Sequence, residues 1–176
     1  MHLRTKLVAG ATSVAVFAGL VALAAPAIVP LLPSQVQVVL GGTIKTVPGT
    51  AEELFERTGL GESGEYGSSR VTHADVNDEY VIAASIWPWT LPPGWGFPKN
   101  RGVADTPGQH WNGMGVHAAF SLWAKTSLEA VEAGDLAPDA ANDLLDEVED
   151  ATRTLLEEGV ISDRRFIEDS VTPLRR

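Results

Sequence analysis

The chain contains no cysteine. This absence excludes disulfide bonds, a lipid-modified cysteine anchor, a thiol nucleophile and any metal site built on thiolates. The 149 residues that follow position 27 are enough for one domain with a single core. Such a domain must be held together by side-chain packing and hydrogen bonds, because no covalent link joins distant parts of the chain.

Charge is missing from a long stretch near the N-terminus. None of the 38 residues from Leu7 to Ile44 is charged, whereas Arg4 and Lys6 lie shortly before them. A short basic start followed by an apolar run is typical of an export signal or a single membrane anchor. We therefore expect Arg4 and Lys6 to stay inside and everything after residue 35 to face outside. The domain is then either anchored in the cytoplasmic membrane or secreted.

Two opposing features leave cleavage of this segment open. The apolar stretch Leu7–Ala25 is 19 residues long, and a membrane-spanning helix needs about 20 residues. Ala22-Leu23-Ala24 and Ala25-Pro26-Ala27, in contrast, match the small-x-small pattern of a cleavage site. The predicted organisation is a signal peptide or membrane anchor at residues 1–27, a linker at 28–49 and an exported helical domain at 50–176.

A basic patch is also missing outside the first six residues, and the excess charge is negative. The stretch from Glu129 to Glu158 has eleven acidic residues and one basic residue, while the rest of the chain has twelve of each sign. Nucleic-acid binding is not expected, because phosphate contacts need Lys and Arg on one face. The acidic stretch is either a solvated helix face or a surface for cations or basic partners.

A short β-hairpin is predicted before the helical domain. The stretch Val36–Val47 has two runs rich in β-formers on either side of Gly41-Gly42, which suits a two-residue turn. A lone hairpin is marginally stable in water. The segment must therefore pack on the helices or serve as a linker that holds the domain away from the membrane.

Two capping boxes predict the starts of helices. They are Thr50-Ala51-Glu52-Glu53 and Thr72-His73-Ala74-Asp75, in which a hydroxyl and an acidic side chain are three residues apart. The first helix should end at Gly59, and the second should end before Pro88. A buried strand over Tyr80–Trp87 is the alternative, and the capping box favours the helix.

The C-terminal half predicts an antiparallel helical hairpin, which makes the expected fold class mainly α. The first helix should end at Gly134, and the second should begin near Pro138 and end at Gly159. Apolar faces recur at helical spacing, with Val116, Phe120, Trp123, Ser127 and Val131 on the first helix and Ala141, Leu144, Leu145, Val148, Ala151, Leu155 and Leu156 on the second. A last short helix is expected from Ser162 to Asp169.

The connection between the helical regions is rich in Trp, Pro and Gly. It contains four of the five tryptophans, namely Trp87, Trp89, Trp95 and Trp111. A connection this long is usually functional or wrapped on the core. Exposed Trp rings stack on sugars or anchor a protein partner. Trp89, Trp95 and Phe97 are therefore candidate contacts for an envelope protein or a cell-wall glycan, and the alternative is that these rings belong to the core.

Histidine and acidic residues offer a second candidate site. His73 and Asp75 have donor types suited to zinc, and His110 and His117 lie seven residues apart. If these imidazoles met, a metal-assisted hydrolase using His73, His110 and His117 would follow. The glycines at 113 and 115 disfavour a continuous helix between the last two. The alternative is that all four side chains are surface or capping groups.

Three short motifs give the chain a resemblance. They are Trp87-Pro88, Leu91-Pro92-Pro93-Gly94-Trp95-Gly96-Phe97-Pro98 and Phe120-Ser121-Leu122-Trp123-Ala124. Together they resemble small, uncharacterised exported or membrane-anchored proteins of high-GC Gram-positive bacteria, over roughly Tyr80 to the C-terminus. The resemblance implies export. It implies no activity, because none is known for such proteins.

Three functions remain open from the sequence. One is a non-enzymatic, exported or membrane-anchored envelope domain that binds a protein or glycan through the Trp/Pro-rich connection. The others are the metal-assisted hydrolase and a purely structural anchored domain. The sequence has no P-loop, Rossmann fingerprint or Gly-x-Ser-x-Gly motif, and no cofactor is expected.

Overall fold

The described part of the chain is mainly helical, as the sequence predicts. A computed structural model describes residues 42–59, 67, 69–99, 110–134 and 136–175. Its elements are α1 (Ala51–Thr58), β1 (Arg70–Val71), α2 (His73–Ser85), β2 (His110–Trp111), α3 (Met114–Ala133), α4 (Pro138–Glu157), a π-helical turn (Ile167–Val171) and a 3₁₀ turn (Thr172–Leu174). The predicted signal or anchor at residues 1–27 lies outside the described residues. Within them, no helix has the length and apolar character needed to span a membrane.

Local side-chain caps set the starts of α1 and α2. The hydroxyl of Thr50 accepts the backbone N–H of Glu53 at 3.1 Å, and α1 ends at Gly59 with a φ of 71°. At α2 the capping box is complete, since the N–H of Asp75 donates to the Thr72 hydroxyl and the N–H of Thr72 donates to Asp75 Oδ2 at 2.7 Å. The bond from the Thr72 backbone holds the pKa of Asp75 below its ordinary value. The helix prediction for this segment is confirmed as far as Ser85.

A close crossing joins α2 to α3. A β-carbon on Gly115 would lie 2.5 Å from the backbone nitrogen of Tyr80 and 2.6 Å from the carbonyl oxygen of Val76. The buried carboxylate of Glu79 also accepts the N–H of Gly115 at 3.0 Å. An acidic group from α2 therefore satisfies one of the free N–H groups in the first turn of α3.

The two predicted C-terminal helices are present and pack against each other. Gly134 ends α3 with a φ of 76°, and Pro138 lies in the first turn of α4. At the other end of α4, the N–H groups of Gly159 and Val160 donate to the carbonyls of Leu156 and Leu155. This is the Schellman arrangement that the glycine predicts. The predicted apolar faces of both helices are buried or half-buried.

The chain after α4 departs from prediction. We expected a helix capped by Ser162, but the N–H of Arg165 donates to Asp163 Oδ1 at 3.0 Å, and regular turns continue to Leu174. The turn Ile167–Val171 is π-helical. Such a turn closes i→i+5 hydrogen bonds, and Val171 at its end is fully buried.

Residues 42–49 pack along the domain. The N–H of Ile44 donates to the carbonyl of Phe97 at 2.7 Å, and the N–H of Val47 donates to the carbonyl of Ser85 at 2.8 Å. Thr43 forms an isolated bridge with Pro98. The first half of the predicted β-hairpin lies outside the described residues. Its second half packs on the helical domain, which is one of the two arrangements that the sequence allows.

A two-stranded antiparallel ladder was not predicted. It pairs Arg70 with Trp111 and Val71 with His110. The guanidinium carbon of Arg70 lies 5.6 Å from the centre of the Trp111 ring, within the range of a cation–π contact. The ladder ties the start of α2 to the start of α3.

Candidate functional site

The rings of residues 87–98, here called the Trp/Pro segment, lie in the core. Trp87 and Phe97 are fully buried, while Trp89 is 5% and Trp95 8% exposed. The centre of the Trp87 ring lies 5.0 Å from that of Trp89, 5.4 Å from that of Phe97 and 5.5 Å from that of Trp123. Trp95 packs edge-on against Phe97 at 4.8 Å. These rings form one aromatic cluster that spans the Trp/Pro segment and α3.

This burial corrects the interpretation of the candidate contacts. We expected Trp89, Trp95 and Phe97 to present ring faces to a ligand, and their faces are covered by other parts of the domain. Stacking on a sugar needs an open ring face. Their positions agree with the alternative that the sequence left open, in which these rings belong to the core. A domain without disulfides has a physical reason for this arrangement, because large rings bury the most apolar surface per residue.

Hydrogen bonds attach the Trp/Pro segment to α3 and α4. The indole N–H of Trp89 donates to Asp150 Oδ2 at 2.9 Å, and that of Trp123 donates to the carbonyl of Thr90 at 2.8 Å. The hydroxyl of Thr90 donates to Glu147 Oε1 at 3.1 Å. The segment therefore lies against the acidic side of α4.

A groove lies between the Trp/Pro segment and α4. Its volume is about 680 Å³. The acidic groove, as we call it, is lined by Thr90, Leu91, Pro93, Leu136, Ala140, Asp143, Leu144, Asp146, Glu147 and Asp150. Four of these residues are acidic, and most of the others are apolar. The groove therefore combines a negative wall with an apolar surface.

The acidic side of α4 already binds a guanidinium from its own chain. Arg175 Nη1 donates to Asp146 Oδ1 at 2.6 Å, and Nη2 donates to Glu149 Oε2 at 2.7 Å. Glu149 also accepts from Arg153 at 2.7 Å. Hydrogen bonds from Arg153 and Arg175 hold the pKa of Glu149 below its ordinary value, and the bond to Asp146, followed by that to Glu149, raises the pKa of Arg175.

The structure brings together only two of the candidate histidines. The ring centres of His73 and His110 are 5.4 Å apart, because the ladder places β2 beside the start of α2. His117 lies on α3 and lines a different groove, where burial lowers its pKa. Asp75 caps the start of α2. In the ranges that the structure describes, no group of three or more His, Asp or Glu side chains is placed to hold a metal ion.

A second groove lies between α3 and the chain that follows α4. It has a volume of about 480 Å³. Its lining includes Phe120, Leu128, Ile161 and Phe166 on the apolar side and His117, Lys125, Glu129, Glu132 and Asp163 on the polar side. Lys125 and Glu129 form an ion pair at 3.7 Å across one turn of α3. The polar rim therefore carries one cationic side chain beside three carboxylates.

The sequence did not predict the acidic groove, although the spacing of its acidic residues is visible in the sequence. Asp143, Asp146, Glu147 and Asp150 follow the i, i+3, i+4, i+7 spacing of one helix face. The sequence does not show that Thr90 and Leu91 lie opposite this face.

No family model, curated protein or solved structure matches the chain. The candidate site therefore depends on its geometry and charge alone.

Proposed function

We propose that this protein is an exported, non-catalytic binding domain whose acidic groove receives a basic, partly apolar segment of an envelope protein. The observation behind the proposal is the pairing of four acidic side chains with an apolar surface in one groove. We also propose that α3 and α4 run antiparallel as a helical hairpin, with α4 forming the acidic wall.

The charge of the groove favours a cationic ligand. Among the described residues, Asp143, Glu147 and Asp150 form no ion pair, and the partners of the last two are the neutral donors Thr90 and Trp89. No cation in the described part of the chain therefore neutralises these three carboxylates by direct contact. A concave surface lined by one sign of charge attracts ligands of the other sign.

The apolar lining narrows the class of ligand. Leu91, Pro93, Leu136 and Leu144 give the groove a surface on which aliphatic groups can pack. Arg and Lys combine a charged head with an apolar stem, so their side chains fit both parts of the groove. A glycan ligand is less suited, because the aromatic rings that would stack on it are buried.

Titration with a defined peptide tests this proposal. The probe is a short, labelled peptide of alternating Arg and Leu, and a peptide of alternating Glu and Leu is the ligand control. We expect the full chain to bind the basic peptide and not the acidic one. Binding should weaken as salt concentration rises, because salt screens attraction between exposed charges. Fluorescence anisotropy gives the dissociation constants.

Two charge-matched double variants locate the site. Asp143→Asn with Glu147→Gln removes two charges from the groove and should weaken binding by about tenfold, equivalent to about 1.4 kcal/mol. Glu157→Gln with Glu158→Gln removes the same charge from the end of α4, away from the groove lining, and should change the affinity by no more than about twofold. Equal weakening by both pairs would mean that attraction is general, and the acidic groove would not be the site.

A further inference from the structure

Residues 167–175, here called the C-terminal arm, bring Arg175 into contact with Asp146, a carboxylate that lines the acidic groove. We propose that Arg175 is an intramolecular ligand that occupies one groove carboxylate and must release it for full binding of a basic partner. This inference rests on the proposed function, because it describes how access to the same groove is regulated.

The geometry of Arg175 supports this role. Its guanidinium bridges Asp146 and Glu149 through separate nitrogens, at 2.6 and 2.7 Å. Asp146 lines the acidic groove, whereas Glu149 is not among the lining residues. Arg175 therefore neutralises one of the four groove carboxylates and uses the neighbouring acid to hold itself in place.

The anchoring of the arm is suited to reversible release. Val171 is fully buried and Leu174 packs against the core, so the base of the arm is fixed. Arg175 comes directly after Leu174, and its ion pair with Asp146 is exposed, with 34% and 68% of the two side chains accessible. Exposed ion pairs contribute little to stability. A ligand cation can therefore replace the guanidinium at Asp146 without disturbing the packed part of the arm.

The contact also indicates which cation the groove recognises. A planar guanidinium donates through two nitrogens at once, whereas an ammonium acts as a single point. Because the side chain held here is an arginine, we infer that an arginine of the partner takes over the contact with Asp146. The basic ligand class is thereby refined to a segment that presents Arg.

The test compares Arg175→Gln with Arg153→Gln in the full chain, using the alternating Arg and Leu peptide. Both substitutions remove one positive charge, and both remove a partner of Glu149. Only Arg175→Gln also frees Asp146. We expect it to tighten binding by about fivefold relative to Arg153→Gln, the upper order of effect of one exposed ion pair. Adding Asp146→Asn to Arg175→Gln should abolish this gain.

A second variant separates charge from geometry. Arg175→Lys keeps the positive charge and cannot bridge both acids in the same plane, so it should give a smaller gain than Arg175→Gln. Thermal melting of each variant shows whether the domain remains folded. If Arg175→Gln does not fold, Arg175→Lys is compared with Arg153→Lys, which also keeps its charge, and should bind the peptide more tightly.

Each outcome bears on one proposal or on both. Equal affinities for the Arg175 and Arg153 variants, with binding by the unmodified chain, would overturn the competition and leave the proposed function intact. Binding by the Arg175 variant alone would support competition and show that the resting groove is closed. Failure of every variant to bind would overturn both.

Discussion

At Gly115 the backbones of α2 and α3 approach too closely for any side chain. The atoms nearest to an added β-carbon include backbone nitrogen and oxygen of α2, at 2.5 and 2.6 Å. Real β-carbons essentially never lie this close to such atoms. From the sequence alone, a glycine near the start of a helix is expected only to weaken that helix. The structure gives it a packing role.

Gly115→Ala is therefore expected to destabilise the domain by about 1–3 kcal/mol, the usual cost of overpacking a core. Helix propensity alone would have the opposite sign, since Ala stabilises a helix interior by about 0.5–1 kcal/mol relative to Gly. Ser121→Ala, at an exposed position of the same helix, is the control and should stay within about 0.5 kcal/mol. Urea unfolding measures both values. If the Gly115→Ala protein is as stable as the original, the backbones of α2 and α3 do not approach as closely as described.

At the scale of elements, the Trp/Pro segment has a structural task and forms one side of the groove. Its rings fill the space against α3, and Thr90 contacts α4. Both ends of this segment are buried and its middle lines the groove, so the packing of its ends fixes the position of the groove wall. Loss of its packing should therefore reduce stability before it affects recognition of a ligand.

Trp89→Ala is the substitution that tests this arrangement. We expect it to destabilise the domain by about 3–5 kcal/mol, as removal of a buried Trp side chain does. It also removes the hydrogen bond to Asp150. Val81→Ala, at an apolar residue of α2 that is 37% exposed, should change stability by no more than about 0.5 kcal/mol. Thermal unfolding separates the two outcomes. If the Trp89→Ala protein is as stable as the original, the Trp89 ring is not part of the core and this arrangement is wrong.

Local signals explain which elements the sequence could predict. Helix starts and ends depend on nearby residues, such as Thr72 with Asp75 or Gly159 after α4, and these positions are correct. The pairing of β1 with β2 was not predictable, because two-residue strands have no periodic pattern and the partners are far apart in sequence. The burial of Trp89 was equally undecided, since exposure depends on tertiary packing rather than residue type.

The same distinction applies to the candidate site: features set by neighbouring residues could be predicted, and features set by tertiary contacts could not. Helical spacing places Asp143, Asp146, Glu147 and Asp150 on one face of α4. The opposite wall and the contact of Arg175 with this face arise from tertiary folding. The proximity of His73 to His110 likewise depends on the ladder rather than on their spacing along the chain.

At the scale of the whole molecule, the charge of the chain is divided by region. The net charge of −10 equals the excess carried by the stretch from Glu129 to Glu158, and the basic start lies at the other end of the sequence. Under the export proposal, this division places the acidic groove outside the membrane and the N-terminal cations inside. The groove would then meet basic segments of envelope proteins and be separated from cytoplasmic nucleic acid.

A topology experiment tests this division. A reporter enzyme that is active only in the cytoplasm, fused to the C-terminus, should be silent in cells that make the full chain. The same fusion without residues 1–27 should be active, which shows that the reporter itself folds. Arg4→Glu with Lys6→Glu should restore part of the activity, because inner-side positive charge sets the orientation of the segment that follows. If the reporter on the full chain is active, the acidic groove lies in the cytoplasm, and envelope proteins cannot be its partners.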